Sequence, residues 1–480
     1  MKSNVSCYFL SLLVSALTLA TALNPACAAD NKPNIVYIIA DDLGWKDVGF
    51  HGSDIKTPNL DKLAAGGTKL EQFYAQPMCT PTRAALMTGR YPFRYGLQTA
   101  VIPAGSAYGL ATDEWLLPQA LKEVGYTTAI IGKWHLGHSD KKYWPRQRGF
   151  DYQYGPLIGE IDYFTHEAEG VVDWYRNNKQ VKEKGYSTTL LGNEAVKLIN
   201  EHDAAKPLFL YLAFNAVHTP YQATQEYLDQ YKNIADPARR AYAGSITAMD
   251  DQIGRVVDVL EKKKMRDNTL IIFMSDNGGT RNPMFTGAIA DVSKMKIPCD
   301  NGPYREGKGT NYEGGTRVVS FVNWPGHIPA GVTVNEMIHT VDWYPTIARL
   351  AGASTSKCKP LDGLDVWLTI SDGKPSPRTE IIYNIEPFRA AVRQGDWKLV
   401  WRTTLPASVE LYNIAQDPSE KNNVADQHPD IVASLQKRAS ELAAAAAKPL
   451  YLETEFKAML QRAKLPPAFP GEEFEFDQEK

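Results

Sequence analysis

Cysteine is scarce in this chain: five in 480 residues. Two of them, Cys7 and Cys27, fall in the N-terminal segment, which leaves Cys79, Cys299 and Cys358 for the body of the protein. So few thiols exclude a disulfide-dense scaffold. A surplus of one charge sign is missing too, since 52 basic against 55 acidic residues give a net charge of −3. Nothing global therefore draws the chain to nucleic acid or to an acidic membrane, and an anionic ligand has to be held by local cations. Long apolar runs are confined to the start. Lys2 precedes an apolar stretch from Phe9 to Leu23, and Ala26-Cys27-Ala28 follows as a small-x-small cleavage site. This reads as a secretory signal peptide over residues 1–28, because the apolar run is short for a membrane span. The expected location is secreted or periplasmic, with no stable membrane insertion.

Beyond the leader about 450 residues remain, enough for one large domain or a large and a small one. Four runs are apolar on both faces: Asn34–Ala40, Thr127–Ile131, Leu208–Phe214 and Thr269–Met274. Such runs suit central strands of a parallel sheet covered by helices. Helical patterns lie between them at Thr57–Ala65, Leu116–Val124, Leu190–Asn200 and Ala241–Lys263. The alternation predicts an α/β fold with a large mixed, mostly parallel sheet sandwiched by helices. The texture changes at Ser371–Pro377, a turn-rich linker. Short strand patterns follow at Glu380–Ile385, Ala390–Arg393, Trp397–Trp401 and Val409–Tyr412, then a helical stretch at Asp430–Ala447. They predict a small C-terminal subdomain, residues 376–480, with an antiparallel sheet and one helix, after a main domain of residues 29–375.

The densest run of informative residues is Cys79-Thr80-Pro81-Thr82-Arg83-Ala84-Ala85-Leu86-Met87-Thr88-Gly89-Arg90. Pro81 suits the first turn of a helix, where its missing N–H is no loss, and the residues after it are good helix formers. Cys79 is therefore expected at a helix N-terminus, where free N–H groups and the helix dipole favour an anion. Arg83 adds a fixed cation about one turn on. In an oxidising compartment Cys299 and Cys358 have the option of pairing, which leaves Cys79 as the odd, reactive thiol. A plain buried thiol is the bland alternative.

Each strong strand pattern runs straight into polar residues of catalytic type. The first ends in Asp41-Asp42 and the second in Gly132-Lys133-Trp134-His135. The third is followed by Asn215 and His218, and the fourth ends in Asp276-Asn277-Gly278-Gly279. In open α/β sheets ligands bind beyond the carboxyl ends of the strands, so the four sets converge on one rim. Asp41, Asp42, Asp276 and Asn277 offer three carboxylates and an amide, a donor set for a hard cation such as Ca²⁺ or Mg²⁺. Taken singly, the pairs read as a helix cap and a turn; two such pairs directly after buried strands favour the metal. Lys133 and His135 are two apart, which in extended chain places both on one face. His218 stands in a loop before Pro220, and Lys308 lies in the glycine-dense loop Gly307–Gly315. With Arg83 the two lysines make an anion site, and the two histidines are candidates for proton transfer.

Together these residues resemble the type I sulfatases of the alkaline phosphatase superfamily. The Cys79–Arg90 run fits the pattern C-x-P-x-R-x-x-x-x-T-G-R at every fixed position. Gly149-Phe150-Asp151, Asp162-Tyr163, Pro207–Leu212, Pro360–Trp367 and Gly395-Asp396-Trp397-Lys398-Leu399 are most similar to the arylsulfatase B (N-acetylgalactosamine-4-sulfatase) branch. The resemblance implies that residues 29–375 form the catalytic domain and that Cys79 is oxidised to formylglycine by a formylglycine-generating or anaerobic sulfatase-maturating enzyme. One hydroxyl of the hydrated aldehyde then attacks sulfur, the sugar alcohol leaves, and loss of a proton from the second hydroxyl releases sulfate. It further implies that Asp41, Asp42, Asp276 and Asn277 bind Ca²⁺, with the modified Cys79 at the same ion. Arg83 and Lys133 would hold the hydrate, His135 would assist sulfate release, and His218 and Lys308 would bind sulfate, with His218 protonating the leaving oxygen.

The segment Thr280–Pro303 departs from that branch and is expected to shape the substrate pocket. The expected substrate is a sulfated saccharide, with a 4-sulfated galactose-type sugar as in chondroitin, dermatan or an algal galactan. Glu160, Asp162, His166, Glu386 and Arg389 are candidate sugar contacts. Two other readings stay open: a formylglycine-dependent phosphodiesterase or phosphonate hydrolase, and a secreted glycan-binding protein without catalysis.

Overall fold

The computed structural model describes residues 32–281 and 297–462. The expected leader, the acidic tail at Glu472–Lys480 and residues 282–296 of the divergent segment lie outside the described residues. In chain order the strands of the main body are β1 (Asn34–Ala40), β2 (Thr68–Tyr74), β3 (Thr127–Gly132), β4 (Tyr152–Gly155), the hairpin β5 (Glu167–Ala168) and β6 (Val171–Val172), β7 (Tyr175–Arg176), β8 (Lys179–Gln180), β9 (Leu208–Ala213), β10 (Thr269–Ser275), β11 (Ser320–Asn323) and β12 (Val332–His339). Apart from the hairpin they form one ten-stranded sheet in the order β12-β2-β11-β10-β1-β9-β3-β4-β7-β8. The stretch β10-β1-β9-β3-β4 is parallel throughout, and it contains all four apolar runs. β11 sits antiparallel between β10 and β2, which makes the sheet mixed.

Every residue of β1, β9 and β10 is buried. Alternate side chains face opposite layers, as the two-residue period of a strand requires. Val36, Ile38, Leu210, Leu212, Ile271 and Phe273 pack in one core. Its helices are α1 (Pro58–Ala65), α4 (Ser187–Glu201), α5 (Gln225–Asp229) and α6 (Pro237–Lys262), with α2 (Cys79–Thr88) and α3 (Leu117–Glu123) on the other face together with α8 (Trp343–Ala351). The short helices α7 (Glu313–Thr316) and α9 (Trp367–Asp372) lie before and after α8 in the chain. Each fully buried Leu, Ile or Phe contributes about 1.5–3 kcal/mol, so the central strands anchor the rim on which their carboxyl ends stand. α6 begins earlier than the periodicity predicts, because the Asp236 side chain caps it, accepting from Ala238 N (2.9 Å) and Arg239 N (3.1 Å).

The C-terminal sheet is the expected antiparallel one: β13 (Glu380–Ile385), β14 (Arg389–Gln394), β15 (Trp397–Arg402) and β16 (Ser408–Asn413), in that order. α10 (Pro429–Ala444) covers it, with Leu435 against Leu399 and Leu411. One helix was the expectation, yet a second, α11 (Leu450–Arg462), follows. Leu450 returns to the main body, where its N–H donates to Gly96 O (2.9 Å). No helix among the described residues is long and apolar enough to cross a membrane. Cys299 and Cys358 are not paired. Cys299 Sγ donates to Thr280 O, and Cys358 Sγ lies 3.2 Å from Tyr344 Oη, so packing rather than a bridge accounts for both.

Candidate active site

The four polar sets do converge. Asp41 and Asp42 follow β1, Asp276 and Asn277 follow β10, Lys133 follows β3 and His218 follows β9, all at the carboxyl ends of parallel neighbours. Cys79 is the first residue of α2, only 1% exposed, and every residue of that helix is buried. Its Sγ lies 3.4 Å from Asp41 Oδ1 and 3.9 Å from Asp42 Oδ1. Burial and then the nearby Asp276 charge push its thiol well above the usual range. As a thiol it is therefore a protonated donor, not a thiolate nucleophile.

Three cations answer the three carboxylates. Arg83 reaches back from α2 and donates to Asp276 Oδ2 through both Nη2 (2.7 Å) and Nε (3.1 Å). Lys133 Nζ donates to Asp41 Oδ2 (2.5 Å). Lys308 Nζ donates to Asp42 Oδ2 (2.7 Å) and lies 3.0 Å from His218 Nε2. Burial works against charge on Asp42, but Lys308, His218 and Lys133 outweigh it and hold the carboxyl well below its ordinary range. For Asp41 burial wins, aided by Asp276, and its pKa rises. His218 is driven down to about 3 by burial and then by Lys308. It is neutral, with Nδ1 donating to Thr219 O (2.9 Å) and Nε2 accepting from Lys308.

Lys133 and His135 do not share a face. His135 has a φ of 58°, in the left-handed region, so the extended-chain argument fails there. Lys133 turns inward to Asp41, whereas the His135 Nε2–H donates to Ile102 O (3.2 Å). Burial, and then Lys133, holds His135 well below its usual pKa, and its buried Nδ1 has no partner. Gly159 makes room for that ring: a Cβ there would lie 2.2 Å from His135 Cε1. Arg90, the last residue of the signature run, is not part of this cluster; it pairs with Glu114 and donates to Pro360 O (3.1 Å).

The residues present fit a hard cation. Ligand atoms of Asp41, Asp42, Cys79 and His218 all lie within 4.8 Å of one another. Asn277 Nδ2 donates to Asp42 Oδ1 (2.8 Å), yet its buried Oδ1 has no hydrogen-bond partner. A buried amide oxygen left unmatched beside carboxylates is the kind of donor a divalent ion accepts. Asp42 itself has a φ of 62°, a left-handed conformation that costs on the order of 1–3 kcal/mol in a non-glycine residue and clusters at functional sites.

A cavity of about 610 Å³ opens on this cluster, with Cys79, His135, His218 and Lys308 in its lining. Glu160 and Asp162 line it too, whereas His166 does not; it is 1% exposed and stacked on Trp174. Arg389 is paired with Glu386 (2.9 Å) and donates to Gly309 O (2.7 Å), beside Lys308, so these two buttress the lysine loop. No local pattern joins Glu313, within that same loop, to Lys398 and Glu420, with which it forms a buried ion network.

Buried cations and carboxylates gathered around a helix-start side chain, at the carboxyl rim of an α/β sheet, make a site for an anionic ligand. The Sulfatase family model matches residues 33–353, and one described as N-sulphoglucosamine sulphohydrolase, C-terminal, matches residues 307–445. Arylsulfatase J of Mus musculus is 37% identical over 469 residues, covering 86% of this chain and 76% of that protein. N-acetylgalactosamine-6-sulfatase of Mus musculus is 34% identical over 419 residues, covering 82% and 76%. A crystal structure of Ps i-CgsB in complex with k-i-k-neocarrahexaose shares 35% identity and a TM-score of 0.79, over 90% of this chain and 98% of that one. The chain belongs to the sulfatase family. It is a sulfuric ester hydrolase, and these relatives do not single out the 4-sulfatase branch that its motifs resemble.

Proposed function

We infer that the substrate is a sulfated saccharide and that the ester cleaved is a 4-O-sulfate on a galactose or N-acetylgalactosamine unit. The observation that carries the saccharide reading is the cavity over Cys79, whose volume of about 610 Å³ admits sugar rings and whose floor is cationic. Relatives named for N-acetylgalactosamine and for a neocarrahexaose complex support a galactose-type sugar. The 4-position rests on the motif likeness. The enzyme works secreted or periplasmic, after loss of its leader.

Asp41, Asp42, Asp276 and Asn277 would hold one Ca²⁺, with residue 79 at the same ion; bound there, it supplies positive charge to the sulfate oxygens as a Lewis acid. In the same reading a maturating enzyme converts Cys79 to formylglycine (3-oxoalanine), whose hydrate supplies the nucleophile. The remaining work falls to the chain's own side chains. Arg83, fixed on Asp276, and Lys133, fixed on Asp41, orient residue 79 and keep positive charge beside it. Lys308 and His218 hold the sulfate at the cavity floor. The proton between Lys308 Nζ and His218 Nε2, atoms 3.0 Å apart, is the one available to the departing sugar oxygen. His135, neutral and with Nδ1 unpartnered, is the base that assists release of sulfate.

A screen of matured protein against defined 2-, 4- and 6-sulfated saccharides tests this reading, with nitrophenyl sulfate and a nitrophenyl phosphodiester alongside. The expected outcome is sulfate release from the 4-sulfated sugars. Equal rates at all positions would defeat the 4-sulfate reading. Faster cleavage of the phosphodiester would move the main activity to the phosphonate-hydrolase side.

A further inference from the structure

Apart from the catalytic cluster, the charged side chains among the described residues that line the cavity are acids: Glu160, Asp162, Glu167 and Glu169. Lys308 is the one cation among the described lining residues, and it already meets Asp42 and His218. Among the described residues the wall is thus short of positive charge for any anion other than the sulfate at the floor.

The acids are not equivalent. Asp162 is committed to its own loop: Oδ1 accepts from Phe164 N (2.8 Å) and Thr165 N (2.7 Å), and Oδ2 from Gln222 Nε2 (2.7 Å). Glu167 and Glu169 stand exposed on the β5–β6 hairpin. Glu160 is half-buried, and its carboxylate accepts no hydrogen bond from the protein among the described residues. It nonetheless lies in the field of Lys308 and Lys133 and of the like charges Asp42 and Glu169. A carboxylate is an acceptor only, and its two oxygens match hydroxyls on neighbouring sugar carbons. A sulfate or carboxylate in the same place meets like charge in a poorly screened site.

We propose that Glu160 is a specificity-determining residue, which accepts hydrogen bonds from uncharged hydroxyls beside the scissile sulfate and rejects a ring carrying a second anion there. The substrate class is then a singly sulfated, otherwise neutral sugar, in preference to a disulfated or uronate-flanked one. This rests on the saccharide reading above.

The test compares kcat/KM for two saccharides that share the scissile sulfate, one otherwise neutral and one with a second sulfate on the same ring. The wild type should prefer the neutral one by roughly tenfold or more, and Glu160→Gln should bring the ratio toward one. Rising salt should narrow the wild-type ratio by screening, which a purely structural role would not do. Glu160→Ala, which also removes the charge, serves if the glutamine variant does not fold. A wild-type ratio near one, or a ratio unmoved by substitution in a folded variant, overturns the proposal. Turnover of nitrophenyl sulfate with neither saccharide cleaved would overturn the saccharide reading itself, which is a different result.

Discussion

Two of the buried charge clusters among the described residues are built to opposite ends. The one at the rim joins Asp41, Asp42 and Asp276 to Arg83, Lys133 and Lys308. The other joins Glu313 and Glu420 to Lys398 of the C-terminal sheet, at 2.9 and 2.8 Å, all with side chains at 0% exposure. The second is closed. Glu313 Oε1 also accepts from Tyr383 Oη (2.8 Å), its Oε2 from Tyr74 Oη (2.9 Å), and Glu420 Oε2 from Glu313 N (2.7 Å). The first is open: it faces a cavity and leaves Asn277 Oδ1 and His135 Nδ1 unmatched. Burial imposes the same desolvation cost on both. Where every carboxylate oxygen is hydrogen-bonded or ion-paired inside the protein, the cluster fixes a shape; where polar atoms are left with neither, it is set up to receive a ligand. The two touch through one loop, since Gly278 N, next to Asn277, donates to Gly315 O (3.0 Å), two residues from Glu313.

The strongest way to break this contrast is Cys79→Ala. Sulfate release should fall on the order of 10³-fold or more, with the melting temperature unmoved; retained turnover would sink the mechanism. Lys398→Met should do the reverse, removing about 3–5 kcal/mol of stability because it takes the shared cation from two buried carboxylates and leaves Glu313 only the longer pair to Arg317 (3.6 Å). Denaturant unfolding reads this, and a loss below about 1 kcal/mol would mean the closed cluster is not a structural device. Ca²⁺ given to chelated protein should stabilise it by about 2.7 kcal/mol at a hundredfold excess over Kd. Asn277→Ala should abolish that increment, whereas the Lys398 variant, if folded, should keep it.

The smallest effect is one of pH. Burial, and Glu313 against the pull of Lys398, raises the Glu420 carboxyl from its ordinary 4.5 to about 7. Between those values the folded protein holds a proton that the unfolded chain has lost. This contribution to stability is therefore complete below about pH 4.5, declines as pH rises toward 7 and is gone above it. Glu420→Gln should flatten that decline in a pH series of unfolding midpoints; an unchanged slope would assign it elsewhere.

The centre of the fold was legible because it is apolar without interruption. β1, β9 and β10 announce themselves, and their polar sequels name the rim cluster. The sheet's flank is not: β2 mixes buried and half-buried residues, and β12 opens on exposed residues and carries the exposed Asn335 and Glu336 in its middle. Local sequence also hides what tertiary contacts decide. His135 reads as extended chain until the packing of Gly159 and Ile102 turns it. Glu313 and Lys398 are 85 residues apart and share no local pattern, so their pairing shows only in the folded molecule.

The complete burial of α2 has a consequence for how the enzyme is made. A second protein that must grip the chain around Cys79 to oxidise it finds no purchase once that helix is packed, for not one of its residues is exposed. Under the proposed conversion the aldehyde has to be installed while the segment is still loose. The fraction of active molecules is then settled during biosynthesis, as a race between a folding chain and its maturase, and a faster-folding variant would emerge stable, correctly shaped and inert.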